Sequence, residues 1–280
     1  MKKRRRKLVS ENETENKPEK KRRKKKKGSV LSTIILVIAL VVFGVSAFNL
    51  IKYGKGYATG RAEYSKIRDM AIEGGEEGED GKPKKEFKVN FKKLLKVNPD
   101  TVAWIRFHPK PSEINYPVVQ GKDNQEYLHK TFSANENTLG AIFLAAENRG
   151  NFMDQNSVIY GHRMNDRSMF WHLEDYTDPK FYKKYPCFYI YTPDGDKRTY
   201  RIFSTCVVED MSDTYKTKFF SEEEFESFLK MTKSTAEYDT GVEVDKDDLI
   251  VTLSTCTSAD DNHRYVVRGV LEERIKLMEE

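Results

Sequence analysis

Apolar residues run unbroken by charge over residues 29–51. They give way to mixed positions over 52–72, disappear in the segment GGEEGEDGKPKK, and from residue 90 return as short alternating stretches between polar breaks. The first run, SVLSTIILVIALVVFGVSAFNLI, holds 23 uncharged residues; roughly 20 such residues cross a bilayer as a helix, so the pattern predicts a single transmembrane helix. Tyr57, Arg61, Tyr64, Ile67 and Ala71 then recur at helical spacing. GGEEGEDGKPKK has no apolar residue to bury and reads as a solvated linker. Beyond it, FKKLLKV is a short amphipathic helix that ends at Asn98-Pro99, and TVAWIRF alternates as a strand does. INYPVV is extended, and Pro117, which has no N–H to donate, suggests an edge position.

Asp123 and Glu126 have capping-box spacing, which predicts a short helix through Tyr127 and Leu128. Strands follow at 140–145 and 157–160, then a helix at 168–176 and a hairpin, CFYIY and RTYRIFSTCVV about the turn TPDGDK. Ser221 and Glu224 again have capping-box spacing, and Phe225, Phe228 and Leu229 share a face of the helix they open. The last pattern is LIVTL, a polar break over 257–263, and RYVV. At least seven strands with short, scattered helices predict a mainly β domain, most simply a closed barrel. The expected divisions are a basic tail over 1–28, an anchor over 29–51, a stalk or linker over 52–89 and the main folded domain over 90–280.

Charge sharpens the reading of the N-terminus. Residues 1–28 carry 15 Lys or Arg and 4 Glu, a net +11, whereas the whole chain is +5. Because residues 29–51 are uncharged, residues 52–280 sum to 5 − 11 = −6. A basic block abutting an apolar run predicts a cytoplasmic tail against anionic lipid, with everything after residue 51 outside the cell. A nucleic-acid partner is not expected. The small residues Val45-Ser46-Ala47 resemble a leader-peptide cleavage site, but the apolar run exceeds the about 7 to 15 residues of a leader core, so an uncleaved anchor is expected.

The chemistry rests on three cysteines and five histidines. Were the hairpin to turn at Asp194-Gly195, Cys187 would face about residue 202, and Cys206 would lie about 13 Å further along, past the about 7 Å that a disulfide allows. Both are therefore expected reduced and structural. Cys256 ends a strand beside a polar loop with Arg264 at the start of the next strand, a setting that suits a nucleophile as well as it suits a small buried hydrophobe. Among the histidines, His162 stands apart, because it follows SVIYG directly and so sits at the mouth of a buried strand. The histidines have no metal-ligand spacing, and neither a metal nor another cofactor is expected.

In combination these elements resemble the sortases, the membrane-anchored cysteine transpeptidases of Gram-positive bacteria. TLSTC at 252–256 matches their signature, YGHRM at 160–164 their histidine motif, and Arg264 their essential arginine. INYPVVQGKDNQEYL, the G-x-IF element at 140–143 and the helix MFWHLEDY extend the likeness over about residues 90–272, and that helix with the one around Phe225 is typical of class B. The resemblance implies an eight-stranded sortase-type barrel behind one transmembrane helix. It implies that Cys256 attacks the threonine carbonyl in a sorting motif of a secreted protein, that His162 serves as acid and base, and that Arg264 stabilises the oxyanion. Ser254 and, beside it, Thr255 are the expected substrate-binding residues. Peptidoglycan or its precursor would supply the acceptor amine. Arg268 shares a strand face with Arg264 but lies about 13 Å further from the loop. A non-catalytic tethered scaffold and a pilin-polymerising sortase are the alternative readings.

Overall fold

A computed structural model describes residues 28–75, 85–258 and 262–277. Most of the basic tail, most of the GGEEGEDGKPKK linker and residues 259–261 of the acidic loop lie outside the described residues. The chain divides into two compact units, Met1–Leu50 and Ile51–Glu280. In the first, residues 28–50 are helical, and their large apolar side chains from Val30 to Leu50 are exposed throughout. The helix, α1 (Gly28–Ala71), is long and apolar enough to cross a membrane.

Within the second unit, the end of α1 packs as its helical spacing predicts, with Tyr64, Ile67 and Ala71 buried. Next come β1 (Ile72–Glu73) and β2 (Lys88–Val89), which pair with each other, α2 (Phe91–Val97), β3 (Thr101–Phe107) and β4 (Asn115–Val119). β5 (Ile142–Leu144) and β6 (Asn156–Tyr160) lead into a 3-10 helix, Trp171–Thr177, and α3 (Pro179–Lys184). β7 (Cys187–Tyr191) and β8 (Asp196–Glu209) form the hairpin, followed by the short turn Asp213–Tyr215 and α4 (Glu222–Ser234). β9 (Ile250–Cys256) and β10 (His263–Lys276) complete the set.

Eight strands close a barrel in the order β10-β8-β7-β3-β4-β5-β6-β9. Its ladders are antiparallel except for β4 with β5 and β6 with β9. The core is aromatic and β-branched, with Trp104, Phe107, Phe188, Leu253 and Val267 fully or almost fully buried. A second cluster, Phe203, Phe225, Phe228, Leu229, Ile250 and Val270, seals α4 onto the barrel exterior. Ser221 caps that helix by accepting from the Glu224 N–H at 3.2 Å, so the capping-box reading holds there.

Two local expectations are corrected. Pro117 does not lie on an edge, because β4 is flanked by β3 and β5; it sits just before the parallel ladder, which begins at Val118, where its missing N–H costs nothing. The Asp123 carboxylate does cap the N–H groups of Gln125 and Glu126, at 3.0 and 2.8 Å, but residues 124–128 form turns and no helix. Here the chain is drawn away to bond elsewhere, Tyr127 to Asp100 and Asn98, and Leu128 to a histidine. The predicted helix at 168–176 is the 3-10 turn at Trp171–Thr177. The three cysteines are unbonded, and Cys187 faces Arg201, one position from the expected partner.

Candidate active site

β9 lies between β6 and β10, and its two registers assemble the site. Cys256 stands opposite Arg264 in the antiparallel ladder with β10. In the parallel ladder with β6, Tyr160 stands opposite Ser254, and the Gly161 N–H donates to the Ser254 carbonyl at 3.1 Å. His162 follows one residue past that bond, on the segment that leaves the end of β6. With strands about 4.8 Å apart and paired residues sharing a face, the Cys256 sulfur and the Arg264 guanidinium lie on one face at the end of the ladder, and His162 leaves the end of the strand on the other side of β9. Cys256 is half-buried at its strand's last residue, which leaves the sulfur within reach of solvent.

His162 is held from two directions. Its Nε2 lies 2.7 Å from the Leu128 carbonyl oxygen. A carbonyl only accepts, so Nε2 carries the hydrogen and Nδ1 carries the lone pair in the neutral ring. Gly140, at φ +60°, lies beneath the ring: a Cβ there would come 2.9 Å from His162 Cδ2 and 2.5 Å from the Leu128 oxygen. Burial pushes the imidazole below its ordinary pKa; the Leu128 bond opposes that, and His129, stacked at 6.2 Å, adds to it. The neutral ring is thus the favoured form at neutral pH.

Arg264 is about three-quarters buried, donates to the His263 carbonyl at 3.0 Å, and pairs with Asp210 at 3.7 Å. Arg268, on the same strand face, is fully buried, and donates to Ser204 Oγ at 3.0 Å, Cys206 Sγ at 3.2 Å and Thr214 Oγ1 at 2.9 Å. Its neighbour Asn156 donates to the carbonyls of Thr214 and Lys216, at 3.2 and 2.9 Å, so the turn at 213–216 is pinned to the barrel face. That turn delivers Tyr215, whose hydroxyl lies 3.0 Å from Ser254 Oγ and whose ring sits 5.8 Å from that of Tyr160. Burial raises the Tyr215 pKa, while the Ser254 bond and the charges of Arg264 and Arg268 restrain it.

Cys256 and Arg264 therefore come together, Ser254 lies two residues below the sulfur on the same face, and His162 follows the end of the neighbouring strand β6. Thr255 does not join them. It pairs with Tyr265 on the opposite face, is 2 % exposed, and its hydroxyl has no hydrogen-bond partner among the described residues. Sequence reasoning missed Tyr215, His129 and the Leu128 carbonyl, which reach the site from remote turns. Gly140 alone carried a trace, as a glycine directly before a β run.

A family model described as the sortase domain matches residues 109–272. Sortase B of Listeria monocytogenes is 32% identical over 238 residues, covering 84% of this chain and 95% of its own. Sortase B of Staphylococcus aureus is 30% identical over 229 residues, covering 81% of this chain and 88% of its own. The crystal structure of Clostridium perfringens sortase B is 34% identical, with a TM-score of 0.62 over 66% of this chain and all of that one. With its closed eight-stranded barrel, this chain belongs to the sortase family of cysteine transpeptidases, and to class B within it.

Proposed function

We propose that the chain cleaves a sorting motif of secreted proteins after threonine and transfers the acyl group to a cell-wall amine, with Cys256 as nucleophile, His162 as acid and base, and Arg264 as oxyanion partner. The observation that carries this reading is that Cys256 pairs with Arg264 across β9 and β10 while His162 leaves the end of β6, the strand on the other side of β9.

The chemistry follows from the atoms available. The lone pair on His162 Nδ1 takes the thiol proton, and the sulfur attacks the threonine carbonyl carbon. The oxyanion that develops is met by the Arg264 guanidinium, whose charge is fixed at any physiological pH. As the C–N bond breaks, the imidazolium returns its proton to the departing amine and leaves a thioacyl enzyme. An incoming amine then attacks that carbonyl and gives a proton to His162, and the sulfur leaves with the bond pair. Ser254 and Tyr215, hydrogen-bonded to each other, lie below the sulfur and would meet the peptide there.

On this reading, residues 1–28 form a cytoplasmic tail, residues 29–51 cross the membrane, residues 52–89 connect, and residues 90–280 act outside the cell. The wall or its precursor supplies the amine. The test is to present a library of short peptides and an amine acceptor to the detergent-solubilised chain and read which bond breaks. Cleavage after threonine, with the amine joined to it, is expected, together with loss of both in Cys256→Ala. Full activity in that variant ends the proposal.

A further inference from the structure

The β6 and β9 ladder stops at the bond between the Gly161 N–H and the Ser254 carbonyl. Past that point His162 leaves the sheet while Cys256 stays paired with Arg264 on β10, so no β6–β9 hydrogen bond fixes the separation of His162 from Cys256. Glu174, on the 3-10 helix Trp171–Thr177, reaches the chain beside each. Its Oε2 lies 2.9 Å from Arg163 Nε, on the residue directly after His162. Its Oε1 accepts from the backbone N–H of Ser258 at 3.1 Å, two residues after Cys256.

The carboxylate is itself well anchored. Leu173 and Tyr176, on the same 3-10 helix, are fully buried in the main core. Arg163 is about 15% exposed and lies over the Trp171 ring at 5.2 Å. Arg163 Nε makes no directed hydrogen bond, so its link to Glu174 is a charge pair, while the link to Ser258 is a hydrogen bond. A depression of about 430 Å³, bordered by Glu174, Val207, Thr257, Ser258 and Tyr265, adjoins the loop after Cys256. The Thr257 N–H donates to the His263 carbonyl at 3.3 Å, and the Ser258 N–H, the next along, is the one the carboxylate holds.

We propose that Glu174 is a positioning residue, which references the His162 segment and the Cys256 segment to one fixed carboxylate and so sets the distance across which the proton moves. The inference rests on the assignment of Cys256 and His162 made above. A displacement of about 1 Å between reacting groups costs on the order of 100-fold in rate, so the strap is worth much more to turnover than to binding.

The test uses the full chain in detergent, a peptide that the unaltered chain cleaves, and iodoacetamide alkylation of Cys256 followed across pH by mass spectrometry of the peptide that carries it. Glu174→Ala is expected to lower kcat by about tenfold or more with KM within about twofold, and to move the midpoint of the alkylation profile. Glu174→Gln, which keeps an oxygen for the Ser258 N–H, is expected to recover most of the lost rate. An unchanged kcat, or an unchanged alkylation profile with or without a fall in Tm, overturns the positioning role. Cleavage by Cys256→Ala would instead overturn the assignment of the nucleophile, and this inference with it.

Discussion

Arg264 and Arg268 project from one face of β10, four register pairs apart, but they inhabit different surroundings: Arg264 stands opposite Cys256, and Arg268 is sealed among Ser204, Cys206 and Thr214. The two should separate cleanly on mutation. Arg264→Ala is expected to lower peptide cleavage by about 100-fold, the usual loss for one oxyanion donor, with little change in Tm. Arg268→Ala is expected to destabilise the fold by about 3 kcal/mol, since it empties a fully buried site and frees the turn that carries Tyr215. Chemical denaturation of both variants, beside their cleavage rates, checks this; a stable, inactive Arg268→Ala would reverse the roles.

The pH dependence follows from the environment of His162. Its folded pKa is lowered by burial from the ordinary 6.5, so the unfolded chain takes up this proton at higher pH than the folded one does. The stability contributed by the neutral ring is complete above the ordinary value and is lost as pH falls through the folded pKa. Two outcomes are expected: the acid limb of cleavage lies below 6.5, and the fall in Tm between neutral and mildly acidic pH is smaller in His162→Gln. An acid limb above that value would contradict the burial argument.

Gly140 cannot accept a side chain without disturbing His162. At φ +60°, with a Cβ 2.5 Å from the Leu128 oxygen and 2.9 Å from the imidazole, Gly140→Ala is strained in backbone and in space. A loss of about 1 to 3 kcal/mol in stability is expected, with a fall in kcat beyond what the unfolded fraction explains. Denaturant melts and initial rates measured below the transition distinguish the two effects.

The end of α1 grips the same loop from behind. The Tyr64 hydroxyl donates to the Gly140 carbonyl at 2.7 Å and accepts from the Phe132 N–H at 3.3 Å, while Glu63 accepts from Thr131 and Ser133 at 2.9 and 3.0 Å. Tyr64→Phe removes one oxygen and strands two buried backbone groups, at a cost of about 1 to 3 kcal/mol. Thermal denaturation of the full chain should register it, and a Tm equal to that of the unaltered chain would mean that water replaces the hydroxyl.

The parts of this molecule legible in its sequence are those set by local rules. Alternation in TVAWIRF and in the CFYIY hairpin located strands, and the Asp194-Gly195 turn fixed the facing of Cys187 to within one residue. The capping box at Ser221 worked because Phe225, Phe228 and Leu229 had a barrel face to cover. The same spacing at Asp123 made its cap without a helix, because Tyr127 and Leu128 were claimed by distant partners. Tyr215, His129 and Glu174 escaped for the same reason. Each acts through a contact spanning dozens of residues, and no periodicity in one stretch of chain encodes where another stretch returns.

The parallel pairing of β6 with β9 has a bearing on how such an enzyme can diversify. Parallel neighbours end at the same edge, so the segments leaving Tyr160 and Cys256 both emerge there, and neither has to cross the sheet. Insertions, deletions or charge changes in either segment can then remodel what is bound while the hydrogen-bonded strands beneath keep their alignment. Cys256 and Arg264 sit within the paired strands, and selectivity for a new peptide can be acquired by lengthening what hangs beyond them.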